Sequence, residues 1–144
     1  MYKPQLDLKS FDILSIANRI SIIGYLIEAL IGANILYLLK FPSTPSLYDI
    51  GAQYQLKEHP MGLDNWKDIP AILEAKGGDC KDFVAYRVAW LRLKGMHDVT
   101  PLITAHRIRD LLVYHVRVRH AGIIEDPSKL LGMPQNVRYE DLNK

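Results

Sequence analysis

The sequence predicts an α+β fold, and three observations carry that prediction. Apolar residues recur at helical spacing through roughly the first two thirds of the chain. Near residue 100 the period changes to two, the spacing of strands. Turn signals at 109–110 and 120–122 then fold those strands into an antiparallel meander.

Each element follows from local chemistry. Ser10 is a plausible N-cap for an apolar helical segment running to about Lys40, which Gly24 or Gly32 can break in two. FPSTPS at 41–46 stops it with two prolines. A short helix over 46–57 is expected, capped by Ser46, and residues 57–65 read as loop. Asp68 and Pro70 begin another helix over about 68–76. Gly77 and Gly78 are expected to end it in the left-handed conformation.

The next helix opens at Cys80 and stops at Gly95. Asp79 is its expected N-cap and Asp82 the acidic partner of a capping box. Phe83, Val84, Tyr86, Val88, Trp90, Leu91 and Leu93 surround it, so it should be enclosed. Arg87, Arg92 and Lys94 are expected to reach outward. Strands follow over 100–108, 111–119 and 123–126. In the second, Tyr114, Val116 and Val118 alternate with His115, Arg117 and Arg119.

Composition narrows the function. The 144 residues suit one core, and 49% hydrophobic with 24% charged residues is an ordinary globular balance. A net charge of +2 gives no reason to expect nucleic acid as a partner. A single cysteine excludes an internal disulfide framework. No CxxC or HExxH spacing occurs, so neither metal nor cofactor is expected. No secretory signal pattern opens the chain. Residues 20–39 are long enough to span a bilayer, but Glu28 sits near their middle, at a cost of a few kcal/mol, roughly, in lipid. Ser21, Tyr25, Glu28 and Gly32 make one less apolar face. A buried or partner-packed helix fits better than a membrane span.

One constellation could carry chemistry. Cys80 stands in the first turn of a helix, where free amides can lower a thiol's pKa and receive an oxyanion. The glycines before it leave room for a substrate backbone. A nucleophilic cysteine needs a base and an orienter. If the loop centres on Ala121–Gly122, His115 faces Ser128 and Arg117 faces Asp126. His115 and Asp126 are then diagonal neighbours about 7 Å apart at the backbone. A three-residue loop would separate them onto opposite faces. Against this stand plain alternatives: Cys80 as a small buried hydrophobe, and Asp126 as a simple partner of Arg117.

GGDCKDFVAYRVAWLRLKG followed by YHVRVRHAGIIEDPS resembles the transglutaminase-like cysteine peptidase superfamily over about residues 64–133. Gly78, Asp79, Cys80 and Asp82 match that family's cysteine motif, His115 its strand histidine, and Asp126–Pro127–Ser128 its aspartate motif. The resemblance implies a papain-like core over residues 42–144, with a cysteine helix packed on an antiparallel sheet behind an apolar segment, 1–41. It implies Cys80 as nucleophile, His115 as general base then acid, and Asp126 as orienter, acting through an acyl-enzyme on a protein or peptide. The second acceptor, water or an amine, stays open, with hydrolysis the default. Trp66, Tyr54 and Gln53 are candidate oxyanion donors, Trp66 first. Val116 follows the histidine where the family often has an aromatic, and Arg117 and Arg119 on the face beside it would lower the pKa of His115 or could receive an acidic substrate group. His106 is a reserve base, while His120 lies too far along the turn. Very small chains of this type look similar to bacteriophage proteins, which implies the cytoplasm or a virion as location. A competing expectation is a structural assembly protein that docks a partner or membrane through residues 20–39.

Overall fold

A computed structural model of the protein describes residues 15–55, 65–108 and 111–134. The expected Ser10 cap, most of the 57–65 loop and the 109–110 turn lie outside them. Helix α1 (Ile16–Lys40) starts instead after Ser15, whose hydroxyl accepts the Asn18 N–H at 3.2 Å. It runs unbroken through both glycines. At Gly24 the helix lies against the sheet, where an added Cβ would meet Ile103 at 3.6 Å, an ordinary van der Waals contact. Ile23, Ile27, Ile31, Asn34 and Leu38 form its buried stripe. The less apolar face expected at Ser21, Tyr25, Glu28 and Gly32 does turn outward.

A single 3-10 turn, Leu47–Asp49, stands where a helix over 46–57 was expected. The chain after it extends into β1 (Gln53–Tyr54), which pairs in parallel with β2 (Gly77–Gly78). Strand pairing across more than twenty residues leaves no local pattern, which is why it escapes a sequence reading. Between them lies α2 (Ile69–Ala75), capped by Asp68 as expected. The buried Asn34 of α1 accepts the Ile69 N–H at 2.9 Å, which ties α2 to α1.

Helix α3 (Cys80–Leu93) is enclosed, with Cys80 through Tyr86 all buried. The sheet has the order β3–β4–β5, from β3 (Thr100–Ile108), β4 (Leu111–His120) and β5 (Ile123–Glu125). Helices α1 and α3 pack together against it, and residues of α1, α3 and the sheet share one hydrophobic cluster. The result is a small mixed helix-and-sheet domain of α+β type. A four-residue helix, α4 (Pro127–Leu130), closes the described chain.

Two basic residues expected to reach into solvent instead pair with carboxylates on other elements. Arg87 forks onto Glu125 at 2.8 and 3.2 Å. Arg92 forks onto Glu28 at 2.8 and 3.0 Å and also donates to the Val99 carbonyl. The mid-helix carboxylate of α1 is therefore satisfied within the protein.

Candidate active site

The backbone leading to Cys80 is fixed by the small parallel sheet. Helix α2 ends at Lys76, which takes the left-handed conformation (φ 55°) expected of the glycines. Gly77 and Gly78 are extended instead. A Cβ on Gly77 would lie 2.5 Å from the Gln53 carbonyl oxygen, so glycine is required there for close approach. The Gln55 N–H donates to the Gly78 carbonyl at 2.8 Å.

At the start of α3 the Asp79 N–H donates to Asp82 Oδ2 at 3.1 Å, the expected half of a capping box. Asp82 Oδ1 also accepts the Lys67 N–H at 2.9 Å. Between the two aspartates stands Lys81, fully buried. Its ammonium lies 2.6 Å from Asp79 Oδ2 and 3.6 Å from Asp82 Oδ1, with the Trp66 ring centroid at 5.3 Å. Nothing in the apolar period singles out Lys81. The available signal is its position between two carboxylates in an otherwise apolar helix.

Cys80 is 4% exposed. The expectation that the helix start would lower its pKa is reversed: burial and the neighbouring Asp79 push the thiol up to about 12. The Val116 backbone N–H on the sulfur, and Lys81, act in the opposite direction without prevailing. Burial, with Asp82 adding to it, likewise raises the Asp79 carboxyl to about 7. The resting sulfur is a protonated thiol.

The β4–β5 hairpin has the two-residue turn on which the triad geometry depends. Ala121 and Gly122 both take positive φ, at 49° and 73°. Val118 then faces Glu125, and His120 faces Ile123. Just past the end of β5, Asp126 reaches back to His115: Nε2 and Oδ2 are 2.8 Å apart. Its other oxygen accepts the Lys129 N–H at 3.3 Å as the cap of α4. Burial alone would raise the Asp126 carboxyl, but the His115 bond and charge outweigh it and leave it below its ordinary value. His115 is itself buried, at 8% exposure, rather than facing solvent like Arg119.

The structure thus joins His115 to Asp126, and it seats the Cys80 sulfur on β4 at the very next residue, Val116. Trp66 lies over Lys81, one residue from Cys80. Gln53 and Tyr54 pair beside the glycines that precede it. Arg117 does not pair with Asp126, whose oxygens are taken by His115 and Lys129. Its Nε is buried and without a hydrogen-bond partner among the described residues. His120 approaches Glu125 at 3.4 Å, and the exposed His106 lies beside Thr104 at 3.3 Å. Among the described residues no group of His, Cys, Asp and Glu could hold a metal ion. Comparison with protein-family models, with curated proteins and with solved structures finds no match for this chain.

Proposed function

We propose that the protein is a thiol hydrolase, a peptidase or amidase, acting on peptide or isopeptide bonds through Cys80, His115 and Asp126. The observation that carries this reading is the 2.8 Å pairing of His115 Nε2 with Asp126 Oδ2 on a strand whose next amide touches the Cys80 sulfur. That pairing orients the imidazole that would act on the thiol. Because the resting thiol is neutral, Cys80 gives its proton to His115 as it attacks the carbonyl carbon. The new S–C bond forms, the carbonyl electrons move to oxygen, and the first-turn amides of α3 receive that oxyanion. The oxyanion then collapses, the C–N bond breaks, and the imidazolium, held by Asp126, protonates the leaving amine, which leaves a thioester on Cys80. Water, deprotonated by His115, attacks that thioester, the S–C bond breaks to release the acid, and His115 returns the proton to the sulfur. The sequence resemblance to transglutaminase-like peptidases and its implied papain-like core support the same assignment, with Trp66 as a further oxyanion donor. Arg117, with its unpartnered Nε, would receive an acidic substrate group. In this reading the protein works in the cytoplasm or in a bacteriophage virion, without a cofactor.

The test is turnover of a fluorogenic peptide and isopeptide library by wild type, Cys80→Ala and His115→Ala. Cleavage by wild type that both variants lose supports the assignment. Cleavage retained by either folded variant sinks it.

A second reading is favoured by α1. The helix is long and apolar enough to cross a bilayer, and its outward face exposes Leu36, Leu39 and Tyr25, the last at 77%. Such a face suits a structural protein docked in an assembly or a membrane. A species that stays soluble and monomeric without partner or detergent would count against it.

A further inference from the structure

We propose that Asp79 is a positioning residue that stores a proton beside Cys80, and that the thiol ionises readily only while Asp79 keeps that proton. This role deepens the hydrolase reading and rests on it for its catalytic purpose, since the proton matters only if Cys80 attacks.

The geometry is a charge count in a closed space. Asp79, Lys81 and Asp82 are all buried, and together they hold two carboxylates and one ammonium. With both carboxylates ionised the group carries one uncompensated negative charge directly against Cys80. Asp79 Oδ2 takes the ammonium at 2.6 Å, but Asp79 Oδ1 is buried with no hydrogen-bond partner among the described residues. A bare anionic oxygen away from water is far costlier than a bare neutral one. Asp82 is differently placed: its oxygens receive the Lys67 and Asp79 amides as well as Lys81. The proton therefore belongs on Asp79, and the raised pKa of its carboxyl points the same way.

The surrounding charges do not change this. Lys67 sends its ammonium to Gln55 Oε1 at 3.4 Å. Asp68 caps α2. Across the sheet, His115 is engaged by Asp126. With Asp79 protonated, ionising Cys80 brings the group only to the single negative charge it would otherwise have had at rest. With Asp79 ionised, the same step leaves three negative charges on one lysine, a net charge of minus two. The two ionisations oppose one another through this shared cation.

The experiment is the rate of Cys80 alkylation by iodoacetamide in the full chain, followed by intact mass from pH 5 to 9. Wild type is compared with Asp79→Asn, which keeps the N-cap and fixes the neutral form. The expected result is at least about tenfold faster labelling of Asp79→Asn at pH 8, one pKa unit of thiol acidity. Its rate should also climb steadily with pH, whereas wild type climbs less steeply through neutrality as Asp79 ionises. Equal or slower labelling of the folded variant would overturn the proposal. If Asp79→Asn is less stable than wild type, the wild-type infrared carboxylic-acid band decides. A buried acid band at pH 6 that Asp79→Asn lacks supports the stored proton, and its absence from wild type refutes it. Failure of the hydrolase reading looks different: His115→Ala would leave turnover unchanged while the Asp79→Asn labelling difference persisted.

Discussion

Replacing Lys81 with methionine removes the single cation from the start of α3 while keeping most of the side-chain volume. Lys81 is fully buried, with Asp79 at 2.6 Å and Asp82 at 3.6 Å. Breaking a buried pair from one side costs about 3–5 kcal/mol, because it leaves an uncompensated buried charge. That is a large share of the roughly 5–15 kcal/mol that holds a domain of this size. The loss must depend on pH. Asp79 already has a raised carboxyl, and removing Lys81, which lowers it, raises it further. A carboxyl whose folded pKa exceeds its unfolded value binds a proton on folding, so stability falls as pH rises between the two values. Below the folded value native Asp79 is neutral with or without Lys81, and the loss shrinks to about 1–3 kcal/mol, the cost of a missing charged hydrogen bond. Urea unfolding of Lys81→Met at pH 5 and pH 8 measures both figures. Adding Asp79→Asn should recover at least half of the loss at pH 8. A loss under about 1 kcal/mol at pH 8, or an equal loss at both pH values, would refute the account of this buried group.

Four further outcomes follow from the packing and the hydrogen bonds. Gly77→Ala drives a Cβ toward the Gln53 carbonyl at 2.5 Å and should cost about 1–3 kcal/mol in urea unfolding; a neutral effect would mean the β1–β2 pairing is not needed. Arg87→Ala strands Glu125, which burial would raise but which Arg87 and Tyr48 hold below its ordinary value; the expected loss is about 1–3 kcal/mol at pH 7. Asp126 also has a lowered carboxyl, so its stabilisation is complete above its unfolded pKa and fades as pH falls through the folded one. Asp126→Asn should therefore be less stable than wild type at pH 7 and converge with it as pH falls below the folded value of the carboxyl, read by thermal melts on acidification. Deleting residues 1–41 removes the buried Ile23, Ile27, Ile31 and Leu38, each contributing about 1.5–3 kcal/mol, and should abolish cooperative unfolding of the remainder.

The sequence was most legible where the determining contacts are local. The β4–β5 register follows from one turn: Ala121–Gly122 at positive φ fixes which residues oppose one another, and His115 then meets Asp126 as the alternation requires. Asp68 and Asp79 are legible as caps because a capping bond spans three residues. The parallel pairing of Gln53–Tyr54 with Gly77–Gly78 is not local, and the glycines read as a helix stop instead. Lys81 and the thiol fail for a different reason. Helix position favours a thiolate at Cys80, but burial and a neighbouring carboxylate oppose it, and only the three-dimensional surroundings say which is larger. Arg87 and Arg92 could reach solvent from their helix face, and they are paired because Glu125 and Glu28 are carried to them by other elements.

The central claim is that Cys80 forms an acyl-enzyme with the help of His115. Its most direct test is intact-mass analysis of the full chain during reaction with an activated acyl donor such as p-nitrophenyl acetate, in wild type and His115→Ala. The account predicts a transient acyl adduct on Cys80 that forms and decays with turnover, and that is lost when His115 is replaced. An unmodified Cys80, or an adduct that forms and decays at the same rate without His115, would contradict it.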